Sequence, residues 1–106
     1  MSKMKLRKRK RLMIELTGLV PAVLTPMDDS GAIALDIVGE YTDRLIASGV
    51  GGLFVCGTTG EFPSLSLTER QDVAEAFIDA AAGRVPVVVH VGCNDLPGAQ
   101  QLAAHA

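Results

Sequence analysis

Three short apolar runs, at 19–24, 53–56 and 85–91, alternate along the chain with three segments in which apolar residues recur at helical spacing. Strands and helices in strict alternation, joined by short loops, predict the order β-α-β-α-β-α and a parallel sheet with right-handed crossovers. In the first run Pro21 has no N–H to give, so the strand is expected to be irregular, to start late or to leave one side unpaired. Leu35, Val38, Tyr41, Leu45 and Ile46 then predict a helix over 34–48 that stops at Gly49, a residue suited to a left-handed cap. Tyr41 lies on that apolar stripe and reads as core rather than catalyst. The second run, Leu53-Phe54-Val55-Cys56, is short and uninterrupted, as in a buried strand. Ser66-Leu67-Thr68-Glu69 fits a capping box and opens a second helix over 67–82, carrying Val73, Ala76, Phe77 and Ala80 and ending at Gly83. The β-branched run at 85–91 is the third strand. After it, Asp95 or Asn94 is placed to cap a helix with Ala99, Leu102, Ala103 and Ala106 on one face. His90, near the end of the third strand, reads as a core or sheet-lining histidine rather than a base. A doubly wound sheet and a slice of an eight-stranded barrel both fit this order.

The loop leaving the second strand is Gly57-Thr58-Thr59-Gly60-Glu61. Its glycines permit backbone angles or close approaches that a side chain forbids. Thr58 and Thr59 put two hydroxyls and two backbone N–H groups at a strand's carboxyl end, where they suit an anionic oxygen such as a carboxylate. A plain glycine-bounded turn, with threonines that satisfy only themselves, fits the local pattern equally well. Other motifs fail on their context. Gly49-Val50-Gly51-Gly52 precedes a strand instead of following one, and the third glycine of a dinucleotide fingerprint would fall on Phe54. The 57–61 loop has no lysine for a P-loop, and Ser64 and Ser66 lack a nucleophile-elbow setting. His90 and His105 are not spaced with acids as a zinc site, and no metal is expected.

Charge divides the chain sharply. Seven of the ten basic residues lie between Lys3 and Arg11, whereas all twelve acids lie later. The remainder holds three arginines against twelve acids, a formal charge of −9, and no lysine. Such a body argues against non-specific nucleic-acid binding, although the tail alone carries the charge for it. Residues 1–12 are too poor in serine and in apolar periodicity for a transit peptide and are expected to be a basic, disordered extension. Residues 13–106 form the folded domain, small but with 48% hydrophobic residues. No apolar run reaches the roughly 18 residues of a membrane helix, so no membrane partner is expected. Cys56 and Cys93 have no partner at ligand spacing and read as buried, reduced thiols at strand ends of a cytoplasmic protein.

The loop, followed by Leu65-Ser66 and Glu69-Arg70 and preceded by Thr25-Pro26 and Gly31, resembles the pyruvate-dependent aldolases, which include dihydrodipicolinate synthase and N-acetylneuraminate lyase. The resemblance covers residues 16–106. Val88-Val89-His90-Val91-Gly92 and the closing Gln101-Leu102-Ala103-Ala104-His105-Ala106 lean toward the lyases. The resemblance implies an α/β fold made of the amino-terminal three βα units of a (β/α)8 TIM barrel. It also implies a chemistry. A lysine forms a Schiff base with the keto carbon of pyruvate or of a 2-keto sugar acid such as sialic acid, and a tyrosine shuttles the proton. No cofactor is implied. Thr58 and Thr59 take the role of holding the substrate carboxylate, Gly57 and Gly60 shape their loop, and Glu61 braces it.

Two family residues have no counterpart in this chain. The body has no lysine, and its single tyrosine, Tyr41, is on a helix stripe. The Schiff-base lysine and the tyrosine are therefore expected beyond Ala106, which makes the chain an inactive amino-terminal fragment of a homo-oligomeric lyase. A 4-hydroxy-tetrahydrodipicolinate synthase parent, and a non-catalytic binding fragment, are the competing expectations.

Overall fold

The structure is a computed structural model and describes residues 15–106. The basic tail lies outside the described residues, as do the first two residues of the expected domain.

Helix α1 spans Leu35–Ala47, strand β1 Leu53–Val55, helix α2 Leu67–Ala81, strand β2 Val87–Val89 and helix α3 Leu96–His105. A single 3-10 turn at Phe62–Ser64 separates β1 from α2. From α1 onward the expected alternation is present, with α1 and α2 within a residue or two of their predicted ends. Strands β1 and β2 pair in parallel, Leu53 opposite Val87 and Val55 opposite Val89. Backbone bonds from Leu53 N to Pro86 O (2.9 Å) and from His90 N to Val55 O (3.0 Å) extend this ladder at both ends.

The first apolar run does not make a full strand. It is joined to β1 by one parallel bridge, Ala22 to Phe54. Phe54 N donates to Pro21 O and Val23 N donates to Phe54 O, whereas Leu24 N donates to the Tyr41 hydroxyl on α1. Pro21 thus serves only as an acceptor, as its missing N–H requires. The segments lie side by side in chain order, the first run, β1, then β2.

Side chains alternate across this sheet. Val23, Leu53 and Val55 are buried with Val38, Val73 and Phe77, and Val87 and Val89 pack against that cluster. Phe77 is completely buried and takes the edge of the Tyr41 ring at 6.1 Å. Tyr41 therefore joins helix to helix and helix to the first run, the core role expected of it. Along α1 the seam is Ala34, Val38 and Thr42, so Leu35, expected on the stripe, turns outward and is 42% exposed. It stands one residue, about 100° of helix rotation, from Ala34.

Helix ends follow local chemistry. The Ser66 hydroxyl accepts from Glu69 N while Glu69 Oε1 accepts from Ser66 N, closing the expected capping box. At α3 the cap is Asp95, whose carboxylate accepts from Gly98 N at 2.8 Å; Asn94 does not serve. Helix α2 ends with Ala82 itself in the left-handed region (φ 49°), one residue before Gly83. Of the third helix's expected face, Leu102 is buried and Ala99 half-buried, but Ala103 and Ala106 face solvent.

Candidate functional site

The ladder between β1 and β2 ends at Val55 and His90, and the chain turns at once. Cys56 adopts φ 59°, a left-handed conformation that costs a non-glycine residue on the order of 1 kcal/mol. Glu61 does the same at φ 62°. The two left-handed residues therefore flank the glycines and are not glycines themselves. Gly57 and Gly60 are needed for space. A Cβ on Gly57 would lie 2.5 Å from the Phe54 ring, and one on Gly60 would meet Thr25 Oγ1, Val23 O and Cys56 Cα at 3.2–3.3 Å.

Five contacts hold the loop that results. Thr25, buried under it, donates its hydroxyl to Gly60 O at 2.7 Å. The Phe54 ring lies against Gly57. His90 Nδ1 reaches Cys56 O at 2.9 Å. Within the loop, Glu61 N donates to Thr58 O (2.9 Å) and Phe62 N to Gly57 O (3.3 Å). The outcome is a braced turn in which Gly57 and Gly60 are buried while Thr58 and Thr59 are exposed at the carboxyl end of β1. Among the described residues neither threonine hydroxyl has a hydrogen-bond partner, so both are available to a ligand. Glu61 braces the loop through its backbone; its side chain is exposed and bonds to no described residue.

Beneath the loop is a group that sequence reasoning left without a role. Arg70, one turn into α2, is 3% exposed. It donates from Nη1 to Gly92 O (2.6 Å) and from Nη2 to His90 O (2.8 Å), and its guanidinium stacks on the Phe62 ring at 5.0 Å. The His90 ring stands edge-on to Phe62 at 4.6 Å and near Phe54 at 5.9 Å. His90 is thus half-buried in an aromatic and guanidinium setting at the strand's end. Thr25 and Arg70 belong to the sequence pairs that carried the family resemblance, but nothing local marks either as a loop support.

Burial pushes the Cys56 thiol up, and the nearby Arg70 charge opposes that only in part. Cys56 is buried as expected, whereas Cys93 is only half-buried, its thiol donating to Asp95 Oδ1 at 3.3 Å. The Gly98 N–H, followed by that thiol, holds the Asp95 carboxyl below its ordinary value. Among the described residues no three His, Cys, Asp or Glu side chains stand together in a way that could hold a metal ion. No helix among them is long and apolar enough to cross a membrane. A groove of about 390 Å³ lies elsewhere, between the first run and α1, lined by Leu24, Pro26, Ile37, Glu40, Tyr41 and Arg44. Neither Thr58 nor Thr59 lines it.

Known proteins resemble this chain in sequence and in fold. N-acetylneuraminate lyase of Rattus norvegicus is 45% identical over 94 residues, covering 87% of this chain and 29% of the relative. A 4-hydroxy-tetrahydrodipicolinate synthase of Bartonella quintana is 43% identical over 91 residues, covering 86% of this chain and 31% of the relative. Among solved structures, N-acetylneuraminate lyase from Mycoplasma synoviae superposes with a TM-score of 0.83 at 32% identity, over 86% of this chain and 32% of that one. The chain therefore spans less than a third of the length of the proteins it matches. Its residues 15–106 match the Dihydrodipicolinate synthetase family, and the chain belongs to that family.

Proposed function

We propose that this chain carries the carboxylate-holding part of an N-acetylneuraminate-lyase-like aldolase, which cleaves a 2-keto sugar acid to pyruvate and an aldehyde through a Schiff base. The observation that carries the reading is the pair Thr58 and Thr59, exposed with free hydroxyls on a pinned loop at the carboxyl end of a parallel strand. That end is where a (β/α)8 barrel assembles its active site. Each hydroxyl donates one hydrogen bond to a carboxylate oxygen, and the braced loop keeps the keto carbon aimed in one direction. In this reading the Schiff-base lysine and the proton-carrying tyrosine stand on later strands of a longer, homo-oligomeric protein, and residues 15–106 are its first three βα units. The in-order parallel neighbours support that view, as do the large apolar side chains left on the surface, Leu19 at 80% and Leu24 at 58% exposed. A 4-hydroxy-tetrahydrodipicolinate synthase parent is the second reading, favoured by the 43% identity to such an enzyme. It shares the same carboxylate grip and differs in the aldehyde partner.

Titration of the full chain with pyruvate, followed by amide NMR, tests the grip. Shifts confined to 57–61, and lost in Thr58→Val, are expected. Unmoved Thr58 and Thr59 amides at saturating pyruvate would remove the role. Borohydride with pyruvate is expected to trap no adduct on this chain, whose lysines all lie at positions 3–10. A pyruvyl adduct on one of them would overturn the placement of the Schiff-base lysine.

A further inference from the structure

Arg70 is nearly completely buried, yet no carboxylate among the described residues pairs with it. Burying a guanidinium is costly unless its donors are used. Here two are used on backbone, the carbonyls of His90 and Gly92 just past the end of β2, while the buried Nε has no partner among the described residues. These carbonyls lie beyond the last ladder bond, so the guanidinium supplies the partners the sheet no longer provides.

The contact fixes His90 in turn. Nδ1 of His90 is 2.9 Å from Cys56 O, which only accepts, and 3.3 Å from Arg70 Nη2, which only donates. Arg70 Nη2 already has His90 O at 2.8 Å. The shorter contact, to an oxygen that can only accept, assigns the proton to Nδ1, which donates to Cys56 O. Cys56 is the left-handed residue that turns the chain out of β1. The loop's other stem, Phe62, is held by the same two side chains, under the Arg70 guanidinium and against the His90 ring. Both stems of the threonine loop thus rest on one Arg70–His90 pair.

We propose that Arg70 and His90 are positioning residues for Thr58 and Thr59: through Cys56 O and the Phe62 ring they set the direction in which the two hydroxyls face. Neither touches the ligand. The ligand's identity rests on the carboxylate reading above; the positioning itself does not.

Amide exchange and histidine NMR on the full chain test this. In the unmodified chain, long-range proton–nitrogen correlation is expected to show His90 protonated at Nδ1. His90→Phe keeps the ring between Phe54 and Phe62 and removes the donor. It is expected to speed exchange at the Glu61 and Phe62 amides by about tenfold, while the β2 amides stay protected. Arg70→Lys, which cannot fork across two carbonyls, is expected to do the same while His90 stays protonated at Nδ1. His90 protonated at Nε2 in the unmodified chain, or unchanged loop exchange in His90→Phe, overturns the proposal. So does equal loss of protection in the loop and in β2 in both variants, which would make the pair mere core packing. None of these readouts uses pyruvate, so a failed pyruvate titration beside the expected loop behaviour would remove only the carboxylate reading.

Discussion

The two cysteines show how far a few ångströms of burial change one side chain's chemistry. Cys56 is 1% exposed at the foot of the loop, and burial raises its thiol's pKa, so it holds little of the reactive thiolate. Cys93 is half-buried. Iodoacetamide at neutral pH is expected to modify Cys93 first, with Cys56 reacting only as the chain unfolds, a sequence that peptide mass mapping over time reads directly. Asp95 supplies a pH signature. Its folded value is lowered by Gly98 N and by the Cys93 thiol, so its contribution is complete above the unfolded value of about 3.9 and is lost as pH falls through the lower folded one. Acidification below that point is expected to fray the start of α3, seen as faster exchange at Gly98 and Ala99. Asp95→Asn, which caps without titrating, is expected to abolish the transition; an unchanged transition would assign it to another group.

At the scale of elements, helices α1 and α2 carry two local costs that substitution removes. Thr42 sits in the buried seam of α1 with a hydroxyl that has no partner among the described residues. Thr42→Val replaces an unsatisfied polar group by a methyl of similar shape and is expected to stabilise the chain by about 1 kcal/mol. Ala82 closes α2 in a left-handed conformation that glycine adopts without a Cβ penalty. Ala82→Gly is therefore expected to add roughly 1 kcal/mol as well. Urea unfolding of both variants checks the pair, and a lower midpoint in either would mean the cost assigned to that residue is not present. The two sites lie in different helices and share no partner, so the effects are expected to add.

For the molecule as a whole, charge and core are segregated along the chain. The fully buried side chains fall between Val23 and Ala81, and α3 adds Leu102 at 3% exposure. Deleting residues 1–12 is expected to leave the circular dichroism and the urea midpoint unchanged; a fall in the midpoint would show that the tail contacts the acidic body. The surface is unusual in another respect. Leu16, Leu19, Leu24, Leu35, Ile37, Ile78 and Leu96 are all more than two-fifths exposed, a large apolar allotment for a chain of 106 residues. Under the proposed function these side chains meet the remaining units of the barrel.

Local pattern determined most of the architecture. The apolar periods placed all three helices, the capping box placed the start of α2, and the β-branched run placed β2, because each depends on interactions within a few residues. The Gly-Thr-Thr-Gly-Glu stretch marked the loop that carries the candidate site. What the local pattern left open depended on contacts between residues far apart in the chain. The first run became a single bridge because Pro21 has no N–H and Tyr41 captured the N–H of Leu24. Left-handed strain fell on Cys56 and Glu61, not on the glycines, because Gly57 and Gly60 were required for space against Phe54 and Thr25. Arg70 became a support because folding brought the bare carbonyls of residues 90 and 92 to its guanidinium, a meeting across about twenty positions that no window of sequence reveals.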